Sequence, residues 1–143
     1  MKNIKKYIFV ICLLLLAGSG YAQQGNIKII ANDNVDITSV SKDQLSRLFL
    51  KKTTKWDNGV KVTPVDLVTD SDVRQNFTQN IHKKSISAIN AYWQKKIFTG
   101  KGVPPVELQS DKEVIEFVSS TPGAIGYVSA SASLQGVKTI SIK

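Results

Sequence analysis

The sequence predicts an α/β domain, one sheet covered by helices on both faces. Three observations predict it. Short β-branched runs alternate along the chain with segments whose apolar residues recur at helical spacing. Serine-led capping patterns open several of those helical segments. The 143 residues, 42% of them hydrophobic, suffice for one packed core and exclude long solenoids and large two-lobed enzymes.

The elements follow in order. Lys2, Lys5 and Lys6 precede an apolar run from Tyr7 to Ala17, and Gly18, Ser19 and Gly20 lead to Tyr21-Ala22. Positive, apolar, then small is the pattern of an export signal cut after Ala22, so residues 1–22 are expected to be a signal peptide and 23–143 the mature domain. The run is shorter than the roughly 20 residues that span a bilayer. Cys12 lies within it, so the mature chain carries no cysteine, disulfide or thiolate site. Without the three signal lysines, 16 Lys and Arg face 11 Asp and Glu, a net charge of +5. On an exported chain that balance suits small anions, acidic lipid or an acidic protein, and no nucleic-acid partner is expected.

Ile27 to Ala31 reads as a strand stopped by Asn32-Asp33-Asn34. Ser41 to Gln44 has the spacing of a capping box, and Leu45, Leu48 and Phe49 follow at helical intervals. Trp56-Asp57-Asn58-Gly59 marks a turn before a strand over Val60 to Val68, with Pro64 near its start. A second helix is predicted from Ser71 with Val73, Phe77 and Ile81 on one face. A third, from Ser85, should bury Ile86, Ile89, Trp93 and Ile97 and end at Gly100. The glycines and prolines of Gly100 to Pro105 predict a loop. Ser110 to Glu113 reads as another capping box, opening a helix with Val114, Ile115, Phe117 and Val118 that stops at Thr121-Pro122-Gly123. Ala124 to Val128 and the segment of Val137, Ile140 and Ile142 predict the last two strands.

Catalytic residue types are scarce. His82 is the only histidine, and beside Lys83 and Lys84 a solvated surface ring is expected. A zinc site or a Ser-His-Asp arrangement lacks its parts. Neither catalytic residues, a metal nor a cofactor is assigned, and no enzyme activity is expected. Two segments suit anion binding instead. Thr69, Asp70, Ser71, Asp72, Val73 and Arg74 lead from a strand into a helix start, where unpaired N–H groups favour an anion. Ser71 equally has the position of a simple cap. Thr99, Gly100, Lys101 and Gly102 bracket a lysine with glycines that can curl into an anion nest, or form a plain helix stop.

Four strings in this order carry a resemblance: Leu45 to Asp57 (LSRLFLKKTTKWD), Val65 to Phe77, Ile97 to Gly102 (IFTGKG), and Thr121 to Val128 (TPGAIGYV). The set resembles the substrate-binding proteins of phosphate ABC transporters, and most of all their short, single-lobe relatives, over roughly Ile27 to Ile142. The resemblance implies a single lobe of a type II periplasmic binding protein, a twisted mixed sheet with flanking helices, in the periplasm or at the cell exterior. In the family an Arg and an Asp-Gly-Ser-Gly-Thr stretch at a helix start hold phosphate. Ser71 matches the serine, while Leu67, Asp70, Asp72 and Val73 replace the Arg, the two glycines and the Thr. The implied partners are phosphate or another small oxyanion, an ABC transporter or other envelope protein, and a second lobe or second copy to complete the site. The competing expectation is an envelope interaction module that kept the scaffold and lost its ligand.

Overall fold

The computed structural model describes residues 27–143, and the expected signal peptide at residues 1–22 lies outside them. Six strands form one mixed sheet: β1 (Ile27–Ala31), β2 (Ser39–Val40), β3 (Thr63–Leu67), β4 (Val106–Leu108), β5 (Ala124–Ser129) and β6 (Lys138–Ile142), in the order β2-β6-β1-β5-β3-β4. β1 runs antiparallel to both neighbours, Ile29 facing Tyr127 of β5 and Ile140 of β6. β5, β3 and β4 run parallel to one another, and β2 runs parallel to β6. Four helices accompany the sheet: α1 (Lys42–Phe49), α2 (Asp72–Phe77), α3 (Ile86–Phe98) and α4 (Asp111–Ser120).

β5 shows how helices come to cover both faces. Successive side chains of a strand point to opposite sides. At Gly126 the strand touches α4: a methyl group there would sit 2.8 Å from Val114 Cγ1 and 2.9 Å from Val65 Cγ1. One residue on, Tyr127 points the other way, stacked on Phe77 of α2 at 3.8 Å between ring centroids and tilted against Phe49 of α1 at 5.7 Å. The aromatic trio Phe49, Phe77 and Tyr127 is wholly buried and centres the core on that face.

The caps follow the expected serines. Ser41 closes a full capping box with Gln44. Ser71, Ser85 and Ser110 accept from the backbone N–H of Arg74, Ala88 and Glu113. At α4 the reciprocal bond differs from the box pattern, because the Glu113 carboxylate accepts from Gln109 N rather than Ser110 N. The far end of α4 is closed from a distance: Asn32, after β1, donates to the carbonyls of Val118 (2.9 Å) and Ser119 (3.1 Å). Asn34 accepts from Gly123 N at 2.9 Å, and the Trp56 indole donates to Gly123 O at 2.9 Å. Gly123 has φ +76°, and a Cβ there would fall 2.0 Å from Lys61 O, so this knot requires glycine.

Several expectations change. The strand begins at Thr63 instead of Val60, because Val60 and Lys61 fold back on Trp56 and Lys55 around the Asp57-Asn58-Gly59 turn. β2 and β4 were not expected. The helix from Ser71 is α-helical only to Phe77 and continues as a π-helical turn, Thr78–His82, ended by Lys83 at φ 53°. α3 buries Ile89 and Trp93 in a small cluster with Leu50, apart from the main core, and leaves Ile97 exposed. A period that placed Ile97 on the buried side overran the end of the surface that α3 packs on.

Gly126→Ala should lower unfolding free energy by about 1–3 kcal/mol, the usual cost of overpacking, measured by urea denaturation. An unchanged midpoint would mean that α4 stands further from β5 than described.

Candidate functional site

The expected anion segment leaves β3 at its C-terminal end and enters α2. Its members separate by role. Arg74 does not face solvent: it is 3% exposed, donates from Nη1 to Leu67 O at 2.7 Å, and pairs with Asp66 Oδ1 at 3.1 Å. The Tyr127 hydroxyl donates to the same Asp66 oxygen at 2.7 Å and accepts from Leu67 N at 3.2 Å. Arg74 as a surface anion grip is therefore corrected. A buried carboxylate already holds it, and exposing it would strand Asp66. Ser71 caps α2 through Arg74 N, while its own N–H donates to Val68 O. Val73 is partly buried against the core, and Asp70 and Asp72 are exposed.

Thr69 and Asp70 remain available. They line an open cavity of about 460 Å³ together with Gln75, Gln79, Ser85, Ile86 and Ser87. The last three form the start of α3, which carries no acidic residue in its first turn and follows Lys83-Lys84. Ile86 and Ser87 occupy the first two helical positions, whose N–H groups have no intrahelical acceptor. From the sequence this helix start is predicted at Ser85 but is not singled out as a candidate anion site. Two lysines followed by Ser-Ile-Ser with no acid nearby is the signal that points to it.

Thr99, Gly100, Lys101 and Gly102 lie at the other end of α3, about 20 Å away at 1.5 Å per residue. Their N–H groups close the helix: Thr99 N donates to Lys95 O, Gly100 N to Ile97 O, and Lys101 N to Lys96 O, with Gly100 at φ +67°. This is a Schellman stop. The N–H groups of Thr99, Gly100 and Lys101 are spent in the helix stop, and the negative end of the helix dipole lies beside them. Of the two readings of this segment, anion nest or plain helix stop, the structure has the stop.

His82 is also not the solvated ring expected. Its Nδ1 lies 2.8 Å from Ser46 Oγ and its ring packs edge-on to Phe77. Burial, with the charges of Arg74, Lys52 and Lys84, pulls its pKa down to about 4. Burial pushes the Asp66 carboxyl up to about 6, against the downward pull of Arg74 and the Tyr127 hydroxyl. Burial and then the Asp66 charge raise Tyr127 above the ordinary phenol range. Among the described residues no three His, Cys, Asp or Glu side chains gather as a metal site, and no helix is long and apolar enough to cross a membrane.

A family model described as a PBP superfamily domain matches residues 23–141. The chain belongs to the PBP superfamily. Solved structures share the fold at low identity. An ABC-type phosphate transport receptor from Vibrio cholerae superposes with a TM-score of 0.64 at 17% identity, covering 81% of this chain and 45% of that one. A putative phosphate ABC transporter substrate-binding protein with bound phosphate from Clostridium perfringens gives 0.64 at 18%, covering 81% and 44%. PstS from Borrelia burgdorferi gives 0.59 at 18%, covering 85% and 52%. The chain thus spans about half the length of these proteins, as a short PBP-like relative. No curated protein matches the sequence.

Asp66 and His82 make opposite contributions to pH-dependent stability. A carboxyl with a raised native pKa binds more protons folded than unfolded, so its contribution falls as pH rises from about 4 to about 6. A histidine with a lowered native pKa does the reverse, and its contribution rises from about pH 4 to about 6.5. In the wild type the two contributions oppose each other across this window. Asp66→Asn should become more stable with rising pH, and His82→Asn less stable, as read by denaturant titrations at several pH values. Parallel profiles for all three proteins would refute the assignment.

Proposed function

We propose that the chain is an exported, non-enzymatic solute-binding-like lobe that offers one wall of a site for phosphate or another small oxyanion, in connection with ABC-type phosphate transport. One observation carries the reading: Thr69 and Asp70, at the C-terminal end of β3, share a cavity with the start of α3 at Ser85, Ile86 and Ser87. Open α/β sheets bind ligands beyond the carboxyl ends of their strands, and an acid-free helix start supplies donors and a favourable dipole for an anion. Two of the structural relatives are an ABC-type phosphate transport receptor and a putative phosphate ABC transporter substrate-binding protein, the second solved with phosphate bound.

The cavity is open, so a second surface, from another lobe, another copy or a transporter subunit, must supply the opposite wall. One wall alone gives weak binding, on the order of millimolar Kd. Asp70 opposes an anion and sets the affinity low. Ser71 is a poor probe, because its hydroxyl caps α2 and its loss costs about 1 kcal/mol of stability with or without a ligand.

Thermal-shift and calorimetric titration with phosphate and sulfate, against chloride at matched ionic strength, should show saturable stabilisation. Asp70→Asn should tighten it about threefold to tenfold by removing a like charge, and Ser87→Ala should weaken it. No saturation by either oxyanion, in wild type and in Asp70→Asn alike, would reject the reading in favour of an interaction module without a ligand.

A further inference from the structure

The end of α3 remote from the candidate cavity has a different character. Five large hydrophobic side chains stand exposed among the described residues, and four of them, Ile97, Phe98, Val103 and Val106, fall within ten positions of one another. Phe98 is 92% exposed, on the last turn of a helix that the Gly100 stop ends abruptly. A side chain so exposed contributes nothing to the core, and a cluster of them marks a contact surface.

Along the chain, the segments that reach this end are basic, and Glu107 after Val106 is the first acid beyond them. From Val73 to Val106 the chain holds no Asp or Glu, and none occurs between Asp43 and Asp57. The two acid-free stretches meet here. Lys52 and Lys96 both lie over the Tyr92 ring, at 6.0 and 5.5 Å, and the Tyr92 hydroxyl donates to Leu50 O. Lys51 Nζ reaches Pro104 O at 3.4 Å, which brings it to the 100–105 loop. Lys95 and Lys101 are exposed beside Phe98 and the stop. The nearest acid along the chain, Glu107, lies 3.8 Å from buried Arg74.

We propose that this end of the domain docks onto an anionic lipid surface, Phe98, Ile97 and Val103 entering the headgroup boundary and the lysines lying against lipid phosphates. The number of apolar side chains favours lipid over protein. A stable protein interface buries about 800 Å² per partner with matched shape, whereas the exposed apolar residues here are few and divided among the end of α3 (Ile97, Phe98), the loop after it (Val103) and β4 (Val106). A bilayer needs no matched shape, and basic residues flanking a few bulky apolar ones provide both of its attractions. Tyr92, Lys52 and Lys96 give the polar–apolar side chains suited to that boundary.

The test is flotation of the full chain with vesicles of phosphatidylcholine alone or with about one third phosphatidylglycerol, a fraction ample to give a negative surface. Lipid is titrated so that every variant stays below saturation, and the contribution of this end is read as a shift in the lipid concentration that gives half binding. Binding should be several-fold greater on anionic vesicles and fall in 0.5 M salt, where the Debye length is only about 4 Å. Phe98→Asp should lose most of it while keeping the wild-type melting temperature. The double variant Lys95→Glu with Lys101→Glu should lose the preference for anionic lipid and keep its fold. Equal binding by wild type and both variants would overturn the proposal. So would an absence of preference for anionic vesicles, or a homodimer in sedimentation that Phe98→Asp dissociates without any vesicle binding.

Discussion

The buried pair of Asp66 and Arg74 constrains the structure more than any other contact. Both charges sit at the C-terminal end of β3, with Tyr127 of β5 completing the hydrogen bonds of the carboxylate. Removing one partner from such a pair costs about 3–5 kcal/mol, because the other is left charged and dry. The pair fixes the angle at which α2 leaves the sheet: Arg74 lies one turn into the helix and its guanidinium must reach back to Leu67 O. It also fixes the Tyr127 ring, and through the ring the stack on Phe77. The same positive charge beside His82 helps to keep that ring neutral.

This constraint explains why the helix start at Ser71 has the shape of an anion site but little of its chemistry. The one cation of the segment is turned inward, the serine is a cap, and two aspartates face water. What remains polar and open at this end is Thr69 and Asp70 together with the start of the neighbouring helix. The cavity is shared between two successive helix starts, and the π-helical turn with Lys83 at φ 53° reverses the chain so that the second arrives beside the first.

Much of this was legible in the sequence. Serine caps at 41, 71, 85 and 110 were visible because short hydroxyl side chains have few other roles just before apolar periodicity. The strand at Ala124 to Val128 was visible because five buried residues between Gly123 and Ser129 leave no polar face. The α/β class followed from the alternation alone, and the family from strings such as TPGAIGYV. Other features were not legible. β2 and β4 are two and three residues long, below the length at which alternation means anything. That Arg74 is buried depends on Asp66, which reads as one polar residue in an apolar strand. His82 is shielded by Ser46 and Phe77, partners that spacing along the chain cannot reveal. The site at Ser85 to Ser87 needed the reversal at Lys83, and a single left-handed lysine leaves no mark in composition.

The two short strands have a consequence for assembly. They occupy both margins of the sheet, β2 on one side and β4 on the other, and β4 is preceded by Pro104 and Pro105. Neither margin offers a row of unpaired backbone long enough to template another chain, and two adjacent prolines withhold donors where such a row would begin. Pairing of copies margin to margin into a continuous ribbon is thereby disfavoured. A molecule with a basic, partly greasy tip can be crowded at a surface and still stay a separate particle.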